Sequence, residues 1–246
     1  MKALLAHTRL EVTLLFREVI AVFFSFLLPG ASFVIMGKIF GDQVYSTGTY
    51  FETYIPSMMG IIIFATCLFA VGLQVVIDRE KGVYKRLKGT PINPFHVLVA
   101  LLAKGFIAIY VGVVEILVLA RLVFDVSLTP HLLQFLGAVT WATLSFLGLG
   151  FLMVSVTRRM QTALAFGFIC MYPMMFLSGS FFPLDMMSDF WKDVAQFNPL
   201  FHANQLMILG YKGDLFTQTG AISAAVLGGI LVVGSGIGFR YFRWEP

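Results

Sequence analysis

Long apolar runs separated by short polar or charged stretches set the pattern of this chain. The runs lie near residues 19–36, 54–77, 97–124, 132–156, 162–177 and 220–239. Most come close to the roughly 20 residues a helix needs to cross a hydrocarbon layer of about 30 Å. The pattern predicts an all-α membrane protein with six transmembrane helices, folded as a single domain over residues 1–246. Pro29 and Gly30 interrupt the first run, and Pro173 should kink or end the fifth toward its outer side. Gly234 and Gly238 give the last run a GxxxG spacing suited to close helix contact.

Three stretches fall outside the runs. Residues 1–18 carry Lys2, Arg9, Thr13 and Arg17 on one helical stripe and Leu4, Leu5, Val12, Leu15 and Phe16 on another. Such a segment either lies along the inner membrane face as an interfacial helix or is the start of the first span. Residues 178–218 form the longest outer segment, yet Phe181, Phe182, Met186, Met187, Phe190, Trp191 and Phe197 are spread through it. An apolar segment too short to cross twice predicts a re-entrant helical hairpin in the outer leaflet, between spans five and six. The third stretch, residues 78–96, opens with DREKGVYKRLKGTPINP and holds Arg79, Lys81, Lys85, Arg86 and Lys88 within ten residues.

Composition strengthens the membrane reading. The chain is 59% hydrophobic and 12% charged, far from the quarter or so of charged residues usual in soluble domains. The net charge of +4 does not point to nucleic acid, because the cations sit beside the spans, where they meet lipid phosphates. With both termini cytosolic, Lys2, Arg9, Arg17, Arg79, Lys81, Lys85, Arg86, Lys88, Lys104, Arg158, Arg159, Arg240 and Arg243 fall inside, and Lys38, Arg121, Lys192 and Lys212 outside. The positive-inside rule therefore predicts a multi-pass protein of the cytoplasmic membrane in this orientation. No compact apolar region followed by a small-residue cleavage site stands near Met1, so the first span is expected to serve as an uncleaved signal.

Candidate chemistry is sparse. Cys67 and Cys170 fall inside apolar runs and read as small buried hydrophobes. Thr66 and Gln74 are polar members of the second span, suited to bonding a neighbouring helix. The third span carries Lys104, Glu115 and Arg121; Lys104 and Arg121 can snorkel to the membrane faces, whereas Glu115 cannot easily do so. Glu115 is expected to be structural, either neutral or paired with a donor from another helix. The alternative reading is a proton-coupled secondary carrier using Glu115, but no internal repeat supports it. The sequence contains no GxxxxGK[ST], HExxH or GxSxG, and His7, His96, His131 and His202 are scattered. No metal site and no catalytic set is predicted.

Two segments carry a family resemblance. DREKGVYKRLKGTPINPFHVLVALLAKG resembles the first cytosolic loop of type-2 ABC transporter permeases, and LSGSFFPLDMMSDFWKDVAQFNPLFHANQLM resembles their outer hairpin. The chain departs from the family at Ser188 and Asp189, where a proline is frequent, and at Met207, where an arginine is frequent. The resemblance implies a permease subunit that hydrolyses nothing itself, with ATP and Mg on a separate ABC ATP-binding subunit. It further implies a second permease chain, the same or homologous, and a substrate such as a drug, an antimicrobial peptide or a lipid-like amphiphile moved outward. Coupling to the ATP-binding subunit would involve Arg79, Glu80, Lys81, Gly82, Lys85, Arg86, Leu87 and Pro91. The substrate path would involve Thr66, Phe69, Phe168, Met171, Tyr172 and Met175, with the first, second and fifth spans nearest the path. The outer hairpin would use Ser178, Gly179, Phe182, Pro183, Trp191, Asn198 and Pro199.

Overall fold

The second apolar run forms the axis of the molecule, a helix of 31 residues from Tyr50 to Glu80. The computed structural model describes residues 2–17, 19–45, 48–88, 94–180 and 187–241. In chain order these form α1 (Lys2–Arg17), α2 (residues 19–40), the short strands β1 (Val44–Tyr45) and β2 (Gly48–Thr49), α3 (Tyr50–Glu80) and α4 (Val83–Lys88). They continue with α5 (Pro94–Phe124), α6 (Leu132–Val156), α7 (Met160–Phe176), α8 (Asp189–Ala195), α9 (Pro199–Lys212) and α10 (Gln218–Tyr241). The strands pair antiparallel, Val44 with Thr49 and Tyr45 with Gly48, and the fold is otherwise helical among the described residues.

No charged residue occurs between Glu52 and Asp78, so α3 is apolar on every side, and residues 54–73 are all buried. A helix apolar all round belongs in a core. At about 1.5 Å per residue it is roughly 46 Å long, so its charged end extends beyond a hydrocarbon layer of about 30 Å. Around it stand α5, α6, α7 and α9.

Between lipid-embedded helices the hydrophobic effect supplies little, and association rests on close contact and hydrogen bonds. The chain provides both. A Cβ at Gly150 of α6 would lie 2.6 Å from the backbone oxygen of Cys67, so only glycine lets α6 approach α3 this closely. In α10, Gly234 lies against the Gly148 backbone and Gly238 lies under the Phe151 ring, as the GxxxG spacing predicted. Trp141 Nε1 donates to Ala224 O at 3.0 Å and Ser155 Oγ to Gly238 O at 3.0 Å, tying α6 to α10 near both ends. At the opposite end from Glu80, an aromatic clasp joins α2, α3 and α5, with Phe33 stacked on Tyr54 at 5.6 Å and edge-on to Phe124 at 5.8 Å.

Two helices are wound partly as π-helix, at Phe23–Leu27 in α2 and Thr66–Leu73 in α3. The stretches meet, since Thr66 Oγ1 donates to Ser25 Oγ at 3.4 Å. Hydrophobic periodicity does not distinguish an α from a π turn, so this feature was not legible in the pattern.

Among the described residues four helices are long and apolar enough to span a membrane: Tyr50–Glu80, Val99–Phe124, Leu132–Val156 and Gln218–Gly238. The first and fifth predicted spans appear as the shorter apolar helices Ser25–Phe40 and Met160–Phe176. As expected, α7 ends three residues after Pro173. Large aliphatic side chains lie outward on α5 (Val114, Val118, Leu122) and α10 (Val232, Val233), faces suited to lipid rather than water. Among the described residues the segment 178–218 holds two helices, α8 of 7 residues and α9 of 14, and α9 buries Leu200, Ala203, Leu206 and Met207 against the bundle.

Two expectations need correction. Lys104 does not snorkel: its side chain is wholly buried, with Nζ 3.4 Å from Glu11 Oε2 of α1. Of the predicted stripes of α1, Arg9, Thr13 and Arg17 are exposed and Leu15 is buried, but Glu11 turns inward and Phe16 is exposed and stacks on Phe26 at 5.8 Å.

Candidate functional site

The charged stretch folds into a corner. α3 runs to Glu80, Lys81 and Gly82 turn the chain, and α4 leaves in a new direction. Gly82 has φ +68, the left-handed conformation that glycine adopts without a Cβ clash, and nothing lies within 4 Å of where a Cβ would stand. The glycine is therefore required by backbone conformation and not by crowding. Lys81, Lys85 and Arg86 are exposed at this corner. The Tyr84 ring is buried beneath it, and burial, reinforced by Asp78, pushes its phenol well above the usual tyrosine range.

Arg79 and Glu80 behave differently from their neighbours. The Arg79 side chain is buried, and its guanidinium donates to the backbone oxygen of Thr157 in the turn between α6 and α7. Glu80 Oε2 accepts from the backbone N–H of Met160 at 2.9 Å, capping α7 with a carboxylate where the helix dipole favours negative charge. These residues therefore join the first loop to the second turn instead of projecting outward with the other cations. A spacing argument could not find this, because the partners are about 80 residues away and are backbone atoms. The Leu87 side chain and Pro91 lie outside the described residues.

The predicted path residues lie on α3 and α7, which pack together. Phe69 lies 5.0 Å from Phe168, which stacks on Tyr172 at 6.2 Å between ring centres. Met171 and Met175 are buried on the inward face of α7, one helical turn apart, while Tyr172 is exposed on its outward face. Thr66 is buried and turned to Ser25 of α2. Phe69, Phe168, Met171 and Met175 thus belong to one apolar junction of α3 and α7, Tyr172 stands at its edge, and Thr66 faces α2.

At the far end the predicted hairpin residues form a buried polar clamp. Ser178 Oγ donates to Met175 O at 2.9 Å, and Asn204 Nδ2 donates to Ser178 O at 3.1 Å and to Ser180 Oγ at 2.7 Å. Asn198 caps α9, its Oδ1 accepting from Leu200 N at 3.0 Å and its Nδ2 donating to Met174 O at 2.7 Å, with Pro199 in the first turn. Gly179 has φ +79 in the turn between. Asn204 was missed by the sequence reading; with His202 and Gln205 it forms a polar group inside an apolar helix, which was a visible signal. Trp191 is exposed beside Phe190 on α8, and Phe182 and Pro183 lie outside the described residues.

Glu115 sits alone. Its Oε2 is buried with no hydrogen-bond partner among the described residues, and its Oε1 is so close to Gly30 that a Cβ there would stand 2.6 Å away. Of the two expected arrangements, neutral or paired, a pairing donor from another helix is not found among the described residues. Among the described residues no group of three or more His, Cys, Asp and Glu side chains could hold a metal.

Comparison with known proteins completes this picture. The family model for the ABC-2 type transporter matches residues 2–211. A transport permease of Bacillus subtilis, YvfS, is 22% identical over 194 residues, which cover 78% of each chain. A protein of Escherichia coli K12 named as a multidrug ABC transporter permease, YbhR, is 22% identical over 148 residues, 60% of this chain and 40% of that protein.

Proposed function

Because the chain belongs to the ABC-2 type transporter family, the membrane-embedded part of ABC transporters, we propose that it is the permease of an ATP-driven exporter of amphiphilic or hydrophobic molecules. A separate subunit binds ATP and Mg and docks on the corner formed by α3 and α4. The observation that carries this reading is the corner itself: Gly82, at φ +68, joins α3 to the short helix α4, Lys81, Lys85 and Arg86 are exposed around the turn while Tyr84 packs inward, and α3 is the most buried of the candidate spans among the described residues. A displacement of α4 is thereby passed to α3.

Six spans, cytosolic termini and a cytoplasmic-membrane location follow from the same reading. It is supported by the convergence of Arg79, Glu80, Thr157, Met160, Lys104, Glu11 and Gly238 at one end of the bundle. There α1 would lie along the membrane face, with Arg9, Leu10, Leu14 and Arg17 exposed for contact with the lipid headgroup and acyl boundary. Two permease chains pair about the exposed face of α7, where Phe166, Ile169, Tyr172 and Phe176 are uncovered. The short helices α8 and α9 close the outer mouth as a re-entrant hairpin. The multidrug name of one relative and the Phe and Met side chains at the junction of α3 and α7 support a drug-like or lipid-like cargo.

The test is the pair Arg86→Glu and Gly82→Pro in the permease co-expressed with its ATP-binding subunit. Both variants should insert normally; the first should weaken co-purification, and the second should lower transport per ATP hydrolysed. Wild-type transport by both would reduce the loop to a topological anchor and defeat the proposal.

A further inference from the structure

The contacts of Arg79 and Glu80 create a relationship that the sequence pattern does not contain. Together they fasten the turn after α6 and the first residue of α7 to the corner at the end of α3. Arg158 and Arg159 lie within the fastened segment and are both exposed. We propose that this turn is a second docking element for the ATP-binding subunit, with Arg158 and Arg159 as contacts for an acidic protein surface and Arg79 and Glu80 as positioning residues that hold it beside α4. The inference rests on the permease reading above.

The electrostatic argument starts from like charge. Lys81, Lys85, Arg86, Arg158 and Arg159 are exposed on two segments held together, and the carboxylate of Glu80 between them is already engaged with the Met160 N–H. The exposed cations outnumber the carboxylates of Asp78 and Glu80 beside them, so the patch is net positive and gains from a complementary acidic surface supplied from outside. Held by buried or capping bonds to backbone atoms, the two segments present that patch as one rigid unit rather than as two loops. The mechanical argument follows from what Glu80 caps. Movement of the α3–α4 corner pulls on the N-terminus of α7, and α7 carries Phe168, Met171 and Met175 against the α3 core. The cap thus gives force from the docked subunit a second route into the apolar junction, beside the direct one along α3.

The experiment uses the permease and ATP-binding subunit purified together in detergent. Arg158→Glu combined with Arg159→Glu should reduce recovery of the ATP-binding subunit at least tenfold, and Arg158→Gln with Arg159→Gln should flatten the dependence of the dissociation constant on salt. Lys192→Glu, on the opposite side of the molecule, serves as the control and should change neither. Recovery and salt dependence equal to the unaltered chain would overturn the inference while leaving the permease reading intact. If the unaltered chain also recovers no ATP-binding subunit, both fall. Loss of binding only to vesicles containing anionic lipid, with the subunit complex unchanged, would assign the two arginines to lipid and likewise overturn it. For the positioning role, Glu80→Ala should lower transport per ATP about threefold or more with subunit recovery unchanged, and Glu80→Gln, which keeps an acceptor for the Met160 N–H, should restore it. Equal ratios in the unaltered, Ala and Gln forms would remove Glu80 from the force path.

Discussion

Lys104 Nζ lies 3.4 Å from Glu11 Oε2, with the lysine side chain wholly buried between α1 and α5. Removing one partner of a buried ion pair strands the other charge, at a cost of roughly 3–5 kcal/mol, whereas replacing both with apolar groups is often neutral. Glu11→Ala and Lys104→Ala should each lower the unfolding temperature in detergent sharply. Glu11→Leu combined with Lys104→Met should recover most of the loss. Single variants as stable as the parent would mean that the pair does not anchor α1.

The polar clamp around Asn204 makes a prediction of shared cause. Asn204 donates to Ser178 O and Ser180 Oγ, and its Oδ1 stands where a Cβ on Gly60 would lie only 2.0 Å away. Asn204→Leu leaves two buried acceptors short of a donor, about 1–3 kcal/mol for each. Gly60→Ala should act through the same network by pushing the amide aside. The double variant Gly60→Ala, Asn204→Ala should therefore cost clearly less than the sum of its singles. Strict additivity in chemical unfolding would show the two sites to be independent.

Within α6 two glycines separate contact from propensity. Gly150 faces the Cys67 carbonyl, which is backbone and cannot rotate away, while nothing lies within 4 Å of a Cβ built at Gly137. Gly150→Ala should destabilise by about 1–3 kcal/mol through overpacking. Gly137→Ala should be neutral or stabilising by up to about 1 kcal/mol, since alanine favours helix. Similar thermal shifts for the two would contradict the close approach of α6 to α3.

Glu115 has no donor among the described residues and rests against Gly30. A side chain that serves only to fill this space as a neutral group should tolerate Glu115→Gln with most transport retained, while Glu115→Ala lowers stability by leaving a cavity. Transport assayed from pH 5.5 to 8 should then have the same profile in the parent and in Glu115→Gln. A pH-dependent uptake abolished only by the Gln form would favour the proton-coupled carrier.

Much of this molecule was legible along the chain because its solvent dictates the code. A run such as residues 54–77 must be helical and membrane-embedded, since no other backbone geometry satisfies its peptide groups in hydrocarbon. The cluster from Arg79 to Lys88 predicted a break between two long helices, and Pro173 predicted the end of α7. Gly234 and Gly238 predicted a close helix contact, which the fold places against α6. What the chain could not declare is direction around each helix and identity of partner. Charge alone grouped Arg79 with Lys85 and Arg86; only the fold brings Thr157 to it and turns it inward. Lys104 could reach a membrane face by its own length, and only the docking of α1 supplies the Glu11 that keeps it buried. The π turns that meet at Ser25 and Thr66 leave no mark in the hydrophobic pattern either. Periodicity and charge are local properties, set by each residue's contact with lipid or water. The bonds of Arg79, Lys104 and Asn204 join residues 24 to 93 positions apart and exist only once the helices have assembled.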